Sequence, residues 1–186
     1  MSKLGQSDIP KGAKFVEIAI KNFFASQSTS EVKKMRLHLG GVKVTTSSEF
    51  SSQFGFGSSS ASTVCVIKAL SEVTGINLDQ KAIFDLAYRT VLDIQGKGSG
   101  FDVAAAVYGG TLYFKKGGEV IEPLNVDSLP LIVGYSGIKA DTVTLINQVL
   151  EKDQKVVESI YTEIGKLVEQ AKVSLLGKDW VAFGGL

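Results

Sequence analysis

The sequence is short of cysteine, histidine and proline: its 186 residues include one Cys, one His and three Pro. A single cysteine excludes an internal disulfide framework and indicates a reducing setting. A single histidine excludes most zinc sites and argues against a Ser-His-Asp triad. No histidine lies near Cys65 in the sequence, so Cys65 is predicted to be a buried structural thiol on the apolar side of its helix.

An excess of charge is also missing. The sequence has 20 Lys and Arg residues and 19 Asp and Glu residues, so its net charge is +1. A chain this close to neutral has no basic field for a nucleic-acid backbone. No apolar run approaches the roughly 18 residues that a membrane span needs. The first residues, MSKLGQSDIPKG, lack the apolar core of a signal peptide. These absences predict a cytoplasmic protein that binds neither nucleic acid nor membrane.

The pattern of apolar residues predicts an α+β chain with interleaved helices and strands. Helical spacing predicts helices over 13–26, 63–75, 79–91, 142–150 and 153–176. Alternation predicts a half-buried strand over 35–44 and a hairpin over 111–123, and the apolar run 129–135 predicts a buried strand. The residues predicted to face the core are Phe15, Ile18, Ala19, Phe23, Val64, Ile67, Leu70, Ile83, Phe84, Ala87, Thr90, Val91, Val156, Ile160, Ile164, Leu167, Val168 and Ala171.

Glycine is abundant, with 20 residues, and two glycine clusters precede predicted helices. In the first, Gly55-Phe56-Gly57-Ser58-Ser59-Ser60, glycines allow close backbone approach and successive N–H groups at a helix start can hold an anion. The serine hydroxyls can donate to phosphate oxygens or ligate magnesium. The pattern predicts a phosphate-binding loop, although Gly/Ser loops also serve as ordinary helix starts.

The second cluster, Gln95 to Val103, places Asp102 just after a glycine loop at a predicted helix start. A carboxylate there can accept a proton from an attacking hydroxyl, and Lys97 can neutralise transferring phosphoryl oxygens. On spacing alone, an N-cap aspartate and a solvated loop lysine remain open as alternatives.

Three segments resemble the GHMP small-molecule kinases. FGFGSSSAS at 54–62 resembles their motif P-x-x-x-G-L-G-S-S-A. QGKGSGFDVAAAVYGG at 95–110 is similar to Q-G-K-x-G-S-G-F-D-V-A-A-A-x-Y-G of the phosphomevalonate kinases, and LPLIVGYSGIKADT at 129–142 matches a Gly-aromatic-[ST]-Gly segment. The resemblance implies the α+β GHMP kinase-like fold, with an N-terminal part similar to a ribosomal protein domain over 1–134 and the start of the C-terminal-domain helices over 135–186.

The resemblance also implies roles for individual residues. Asp102 would be the catalytic carboxylate, with Lys97 beside it, and Ser59 would ligate magnesium. The residues that would bind ATP are Ser48, Gly55, Phe56, Gly57, Ser58, Ser59 and Ser60, and those near the substrate are Ser99, Gly100, Ser136, Lys139 and Thr142.

The proline that precedes the family's Gly-Ser motif is replaced here within SSEFSSQ. The chain departs from the family in three further places. The first family motif, a Pro-Gly strand with a lysine, has no counterpart, nor does the third, a C-terminal glycine loop; the acidic magnesium ligand of mevalonate kinases falls at Val91. The last departure favours ATP- and Mg²⁺-dependent phosphorylation of phosphomevalonate to diphosphomevalonate. The alternatives are a mevalonate kinase, or a truncated or split non-catalytic module that needs a second copy or a partner chain for the missing motifs.

Overall fold

The computed structural model describes residues 9, 11–32, 42–49, 52–126, 128–138 and 141–186. Within these ranges helices and a small antiparallel sheet alternate, as the α+β prediction requires. The helices are α1 (Lys11–Ala25), α2 (Ser58–Thr74), α3 (Gln80–Gln95), α4 (Phe101–Tyr108), α5 (Thr142–Leu150), α6 (Gln154–Leu176) and α7 (Trp180–Gly184), and the strands are β1 (Thr111–Lys115) and β2 (Val120–Leu124).

Helices α1 to α4 pack on one another and enclose the main core. Their apolar residues recur at helical spacing, so each helix has one continuous face to bury. A polar link runs from inside this core to its edge: the buried Asn22 side chain donates to the buried Thr90 Oγ1 at 3.1 Å and to Oδ2 of the exposed Asp93 at 2.8 Å. All the residues of α1 to α3 predicted to face inward are buried except Ile18, which is partly buried.

Helix α2 starts at Ser58, five residues before the predicted start, and α3 runs to Gln95, four residues beyond its predicted end. Asp79 accepts from the Ala82 amide at 2.7 Å and caps α3. Gly75 ends α2 in the left-handed conformation, as predicted. Because the caps fix where each helix starts and stops, the loops between them are held at defined positions.

The hairpin lies between two apolar clusters. Strands β1 and β2 pair antiparallel, with Tyr113 opposite Glu122, and the chain turns at residues 116–118 as predicted. Alternate residues of a strand point to opposite faces. One face, with Leu112, Phe114 and Ile121, packs on the main core, and the other, with Tyr113 and Leu124, packs on Leu175 together with Trp180 and Phe183.

Polar contacts join the hairpin to α6. Lys172 Nζ lies 2.5 Å from Glu122 Oε2 and 4.3 Å from the Tyr113 ring centroid. The Tyr113 hydroxyl donates to Glu169. This donated hydrogen bond, followed by burial and the negative charges of Glu169 and Glu122, raises the pKa of Tyr113 above its ordinary value of 10.0.

Tyr113 therefore predicts a loss of stability at alkaline pH. Since its pKa is higher in the folded than in the unfolded chain, its contribution is complete below pH 10.0 and is lost as the pH rises through the folded pKa. We expect the difference in unfolding free energy between the wild type and Tyr113→Phe to shrink above that pH. Urea unfolding at a series of pH values measures it; a constant difference would contradict the expectation.

Two predictions about buried apolar surface are wrong. The run 129–135 forms no strand, and Ile132 and Val133 are 102% and 75% exposed. The stripe of α6 is also largely exposed: Val156, Ile160, Ile164, Leu167 and Val168 all lie open to solvent. An apolar pattern leads to burial only where another element covers it, and no described element covers these two surfaces.

Two further predictions concern Cys65 and the strand expected over 35–44. Cys65 is exposed, not buried, because α2 turns Val64, Val66 and Ile67 inward instead. Most of the strand predicted over 35–44, with His38, lies outside the described residues, and its described part, residues 42–44, is not in a strand.

Candidate functional site

The Gly-Ser loop leads directly into α2. Gly55 and Gly57 have φ angles of +77° and +73°, which side chains with a Cβ rarely adopt. Gly57 occupies the N-cap position and has no side chain to cap the amides of the first turn. The 17-residue helix therefore starts with free N–H groups and the positive end of its dipole, beside the partly buried Ser58 and Ser59. This arrangement can hold an anion such as a phosphate.

The second glycine loop is fixed from two sides. The Tyr88 hydroxyl donates to the Gly98 carbonyl at 2.9 Å, and the Gly117 amide donates to the Ser99 carbonyl at 2.8 Å. Gly100 begins α4 with φ +90°. Asp102 lies in the first turn of α4, and its Oδ1 accepts from the Val103 amide at 3.0 Å. Asp102 is thus part of the helix start and is held by a rigid loop.

The two loops meet at Asp102. The Ser60 hydroxyl donates to Asp102 Oδ2 at 2.5 Å, although the two residues are 42 positions apart. A Cβ added to Gly57 would lie 3.6 Å from the Asp102 Cβ, which is ordinary contact distance. The Gly-Ser loop and the Asp102 carboxylate therefore share one candidate site, at the junction of two helix starts.

Lys97 points to a different partner. Its ammonium donates to Asn147 Oδ1 of α5 at 2.5 Å. The loop therefore places the predicted cation against α5, whereas Asp102 faces the Gly-Ser loop. Ser99 and Gly100 lie between the two, and the Ser99 carbonyl and the Gly100 backbone hold the loop in place.

The segment after the apolar run reaches the Gly-Ser loop through aromatic residues. The Tyr135 hydroxyl donates to the Gln53 carbonyl at 3.1 Å, and its ring centroid lies 5.4 Å from that of Phe54. Phe54 in turn lies 5.8 Å from Phe56, which is 61% exposed. Tyr135 thereby brings the next residue, Ser136, towards the phosphate loop.

The remaining predicted substrate residues are less closely tied to the loop. Ser136 Oγ donates to the Ile138 carbonyl within its own turn at 3.2 Å. Thr142 is exposed at the start of α5, and Ser48 is exposed in a segment without regular structure. Lys139 lies outside the described residues.

The sequence reasoning missed the residues that connect these segments. Tyr88, Asn147 and Tyr135 were not singled out, and Ser60 was assigned only to ATP. No local sequence pattern predicts these contacts, and three of the four join residues more than 40 positions apart in the chain. The three phenylalanines in the Ser/Gly stretch were the one visible signal of an aromatic cluster.

The donor atoms at the site fit magnesium bound together with a nucleotide. Magnesium prefers oxygen ligands and keeps several waters and phosphate oxygens, so a protein needs to supply only one or two atoms. The Ser59 hydroxyl and the Asp102 carboxylate are oxygen donors at the phosphate loop. The described residues contain no group of three or more His, Cys, Asp or Glu placed to hold a metal alone, and Val91 is buried.

Comparison with known proteins agrees with this geometry. The family model for the GHMP kinases N terminal domain matches residues 15–110, which include both glycine loops and Asp102. A mevalonate kinase from Pyrococcus horikoshii is 36% identical over 141 residues, which are 74% of this chain and 42% of the relative. One from Saccharolobus solfataricus is 29% identical over 146 residues, 77% of this chain and 46% of the relative.

The chain thus spans less than half the length of these curated relatives. No solved structure matches it significantly. Among the described helices, none combines the length and apolarity needed to cross a membrane. Because the matched family model covers more than half of the chain and both loops that form the site, the chain belongs to the GHMP kinases, and residues 15–110 correspond to their N-terminal domain.

Proposed function

We propose that this chain carries the phosphate-binding and catalytic half of a kinase that transfers the γ-phosphoryl group of ATP to mevalonate. The observation that supports this most directly is the contact between Ser60 and Asp102, which joins an anion-binding helix start to a carboxylate. Phosphoryl transfer depends on positioning and on electrostatic stabilisation, and this site offers both.

Each part of the site has a role in this reaction. The amides after Gly57, with the Ser58 and Ser59 hydroxyls, bind the ATP phosphates. When bound through Ser59, magnesium neutralises charge on the phosphate oxygens. The hydroxyl oxygen of mevalonate bonds to the γ-phosphorus, and Asp102 accepts the hydroxyl proton as ADP departs. The hydroxyl proton ends on Asp102 and the bond to ADP is broken.

Mevalonate is the preferred acceptor in this proposal, in place of the phosphomevalonate expected from the sequence. The similar curated proteins are mevalonate kinases. A base is also required by an alcohol acceptor, whereas a phosphate acceptor is already anionic near neutral pH. The departure at Val91 then means that an acidic ligand at that position is dispensable here.

An assay of γ-phosphoryl transfer from ATP tests the proposal. Mevalonate, phosphomevalonate and unrelated small alcohols are compared at equal concentration, with and without a co-expressed polypeptide that carries the remaining family motifs. We expect mevalonate to be phosphorylated fastest. Faster transfer to phosphomevalonate would mean that phosphomevalonate, as the sequence predicted, is the acceptor. No transfer with or without the co-expressed polypeptide would refute the proposal.

Ser59→Ala tests the phosphate loop. Losing one oxygen bound to a charged group costs about 1.5–3 kcal/mol, so the affinity for Mg·ATP is expected to fall roughly tenfold or more. The affinity for mevalonate is expected to change much less. Isothermal titration with each ligand measures both, and Ser62→Ala on the same helix is the control. A larger effect on mevalonate than on Mg·ATP would contradict the assignment.

A second candidate function is that of a module completed by a partner chain. The exposed apolar run around Ile132 and Val133 and the exposed stripe of α6 favour it, because such surfaces in a folded chain mark contact sites. Sedimentation of the chain alone and with the co-expressed polypeptide tests whether a partner chain is needed. A stable one-to-one complex, with transfer only in the complex, supports this candidate; a monodisperse and active monomer opposes it.

A further inference from the structure

Ser60 lies at the centre of the site but has a different environment from its two neighbouring serines. Ser58 and Ser59 are partly buried, whereas Ser60 is 2% exposed. A hydroxyl has one proton to donate, and that of Ser60 is donated to Asp102 Oδ2 at 2.5 Å. While this bond is made, Ser60 has no proton left for a phosphate oxygen.

The contact also defines the orientation of Asp102. Its Oδ2 accepts from Ser60 on α2, and its Oδ1 accepts from the Val103 amide on α4. Two donors on different oxygens oppose rotation about both side-chain bonds of Asp102. Because Ser60 is buried, water does not compete for its proton, and each carboxylate oxygen keeps a lone pair for an incoming hydroxyl.

We propose that Ser60 is a positioning residue, which holds the Asp102 carboxylate in the orientation needed to accept the acceptor's hydroxyl proton, and that it does not bind ATP phosphate. This inference rests on the proposed function for its catalytic consequence only.

Kinetics of Ser60→Ala give the first test. Misplacement of a base by about an ångström costs up to roughly 100-fold in rate, so kcat is expected to fall by about 10- to 100-fold. The KM values for ATP and mevalonate are expected to stay within about twofold of the wild type. Ser62→Ala, a serine-to-alanine change two residues further along α2, is expected to match the wild type. A raised KM for ATP with unchanged kcat would make Ser60 a phosphate ligand and overturn the proposal.

A second readout does not depend on activity. Three-bond NMR couplings about the Asp102 Cα–Cβ bond report one rotamer when the side chain is held and averaged values when it rotates. We expect a single rotamer in the wild type and in Ser62→Ala, and averaging in Ser60→Ala. Unchanged couplings in Ser60→Ala would overturn the proposal, as would averaged couplings with unchanged kcat.

The two tests separate the inference from the proposed function. If the wild type transfers no phosphoryl group to any acceptor, the proposed function fails, and the couplings alone decide whether Ser60 positions Asp102. If transfer occurs and Ser60→Ala behaves like the wild type in both readouts, only the positioning role fails.

Discussion

Asp102→Asn is expected to lower kcat for mevalonate phosphorylation by roughly 10²- to 10⁴-fold. The amide oxygen of Asn can still accept the Ser60 hydrogen bond, while its NH2 group replaces the oxygen that accepts from the Val103 amide. The loop is therefore expected to keep its place with one hydrogen bond fewer at the start of α4. What is lost is the basic site for the hydroxyl proton. Because the proposed function places ATP on the Gly-Ser loop, the KM for ATP is expected to change little and the deficit is expected in kcat.

The control for this variant is Asp85→Asn. Asp85 lies on the exposed face of α3, where it pairs with Lys81 at 2.6 Å, and surface pairs of this kind contribute little to stability. Its turnover is expected to equal that of the wild type. Thermal unfolding followed by circular dichroism shows whether Asp102→Asn remains folded. Near-normal turnover in a folded Asp102→Asn protein would remove Asp102 from the chemistry and end the kinase proposal as stated.

The helices of the main core could be predicted because the sequence of each helix contains the apolar spacing that defines it. Ile83, Phe84 and Ala87 recur at helical spacing, and Asp79 and Gly96 mark the two ends of the same helix. The partners of that apolar face, α1, α2 and α4, lie in the same part of the chain. Local pattern and final environment therefore agree, and the inward-facing residues were predicted correctly.

Burial of the later segments could not be read from pattern alone. Ile132 lies in an apolar run as regular as any in the main core, yet it is fully exposed. Whether such a run is buried depends on which other segments pack on it, and the run's own sequence does not specify them. The same holds for the stripe of α6 that includes Ile160 and Ile164.

The parts of the site could be predicted from local patterns, whereas the expectation that they share one cleft came from the family resemblance. The sequence pointed to Gly57 and Asp102 separately, from a glycine motif and from a carboxylate at a helix start. Their proximity depends on how α2 and α4 pack, which no local signal reports. Lys97 shows the converse: its place in a glycine loop predicted a role beside Asp102, but the loop carries its ammonium to Asn147.

Gly100→Ala is expected to lower both stability and activity, because an alanine at this position is disfavoured by the backbone conformation and collides with a neighbouring side chain. Its φ of +90° suits glycine, and an added Cβ would lie 2.9 Å from Tyr88 Cδ2 and 3.0 Å from Tyr88 Cε2. The Tyr88 ring cannot move aside freely, because its hydroxyl donates to the Gly98 carbonyl and it stacks on Phe84. The left-handed backbone costs about 1–2 kcal/mol and overpacking a further 1–3 kcal/mol or so.

Gly75→Ala separates these two causes. Gly75 has φ +70° but open space around the added Cβ, so only the backbone cost of about 1–2 kcal/mol applies. Urea unfolding of both variants measures the difference, which is the cost of the collision with Tyr88. Since Gly100 is two residues before Asp102, its displacement also shifts the carboxylate, and kcat is expected to fall in Gly100→Ala but not in Gly75→Ala. Equal unfolding free energies in the two variants, with unchanged kcat, would mean that the Tyr88 contact does not fix the loop under Asp102.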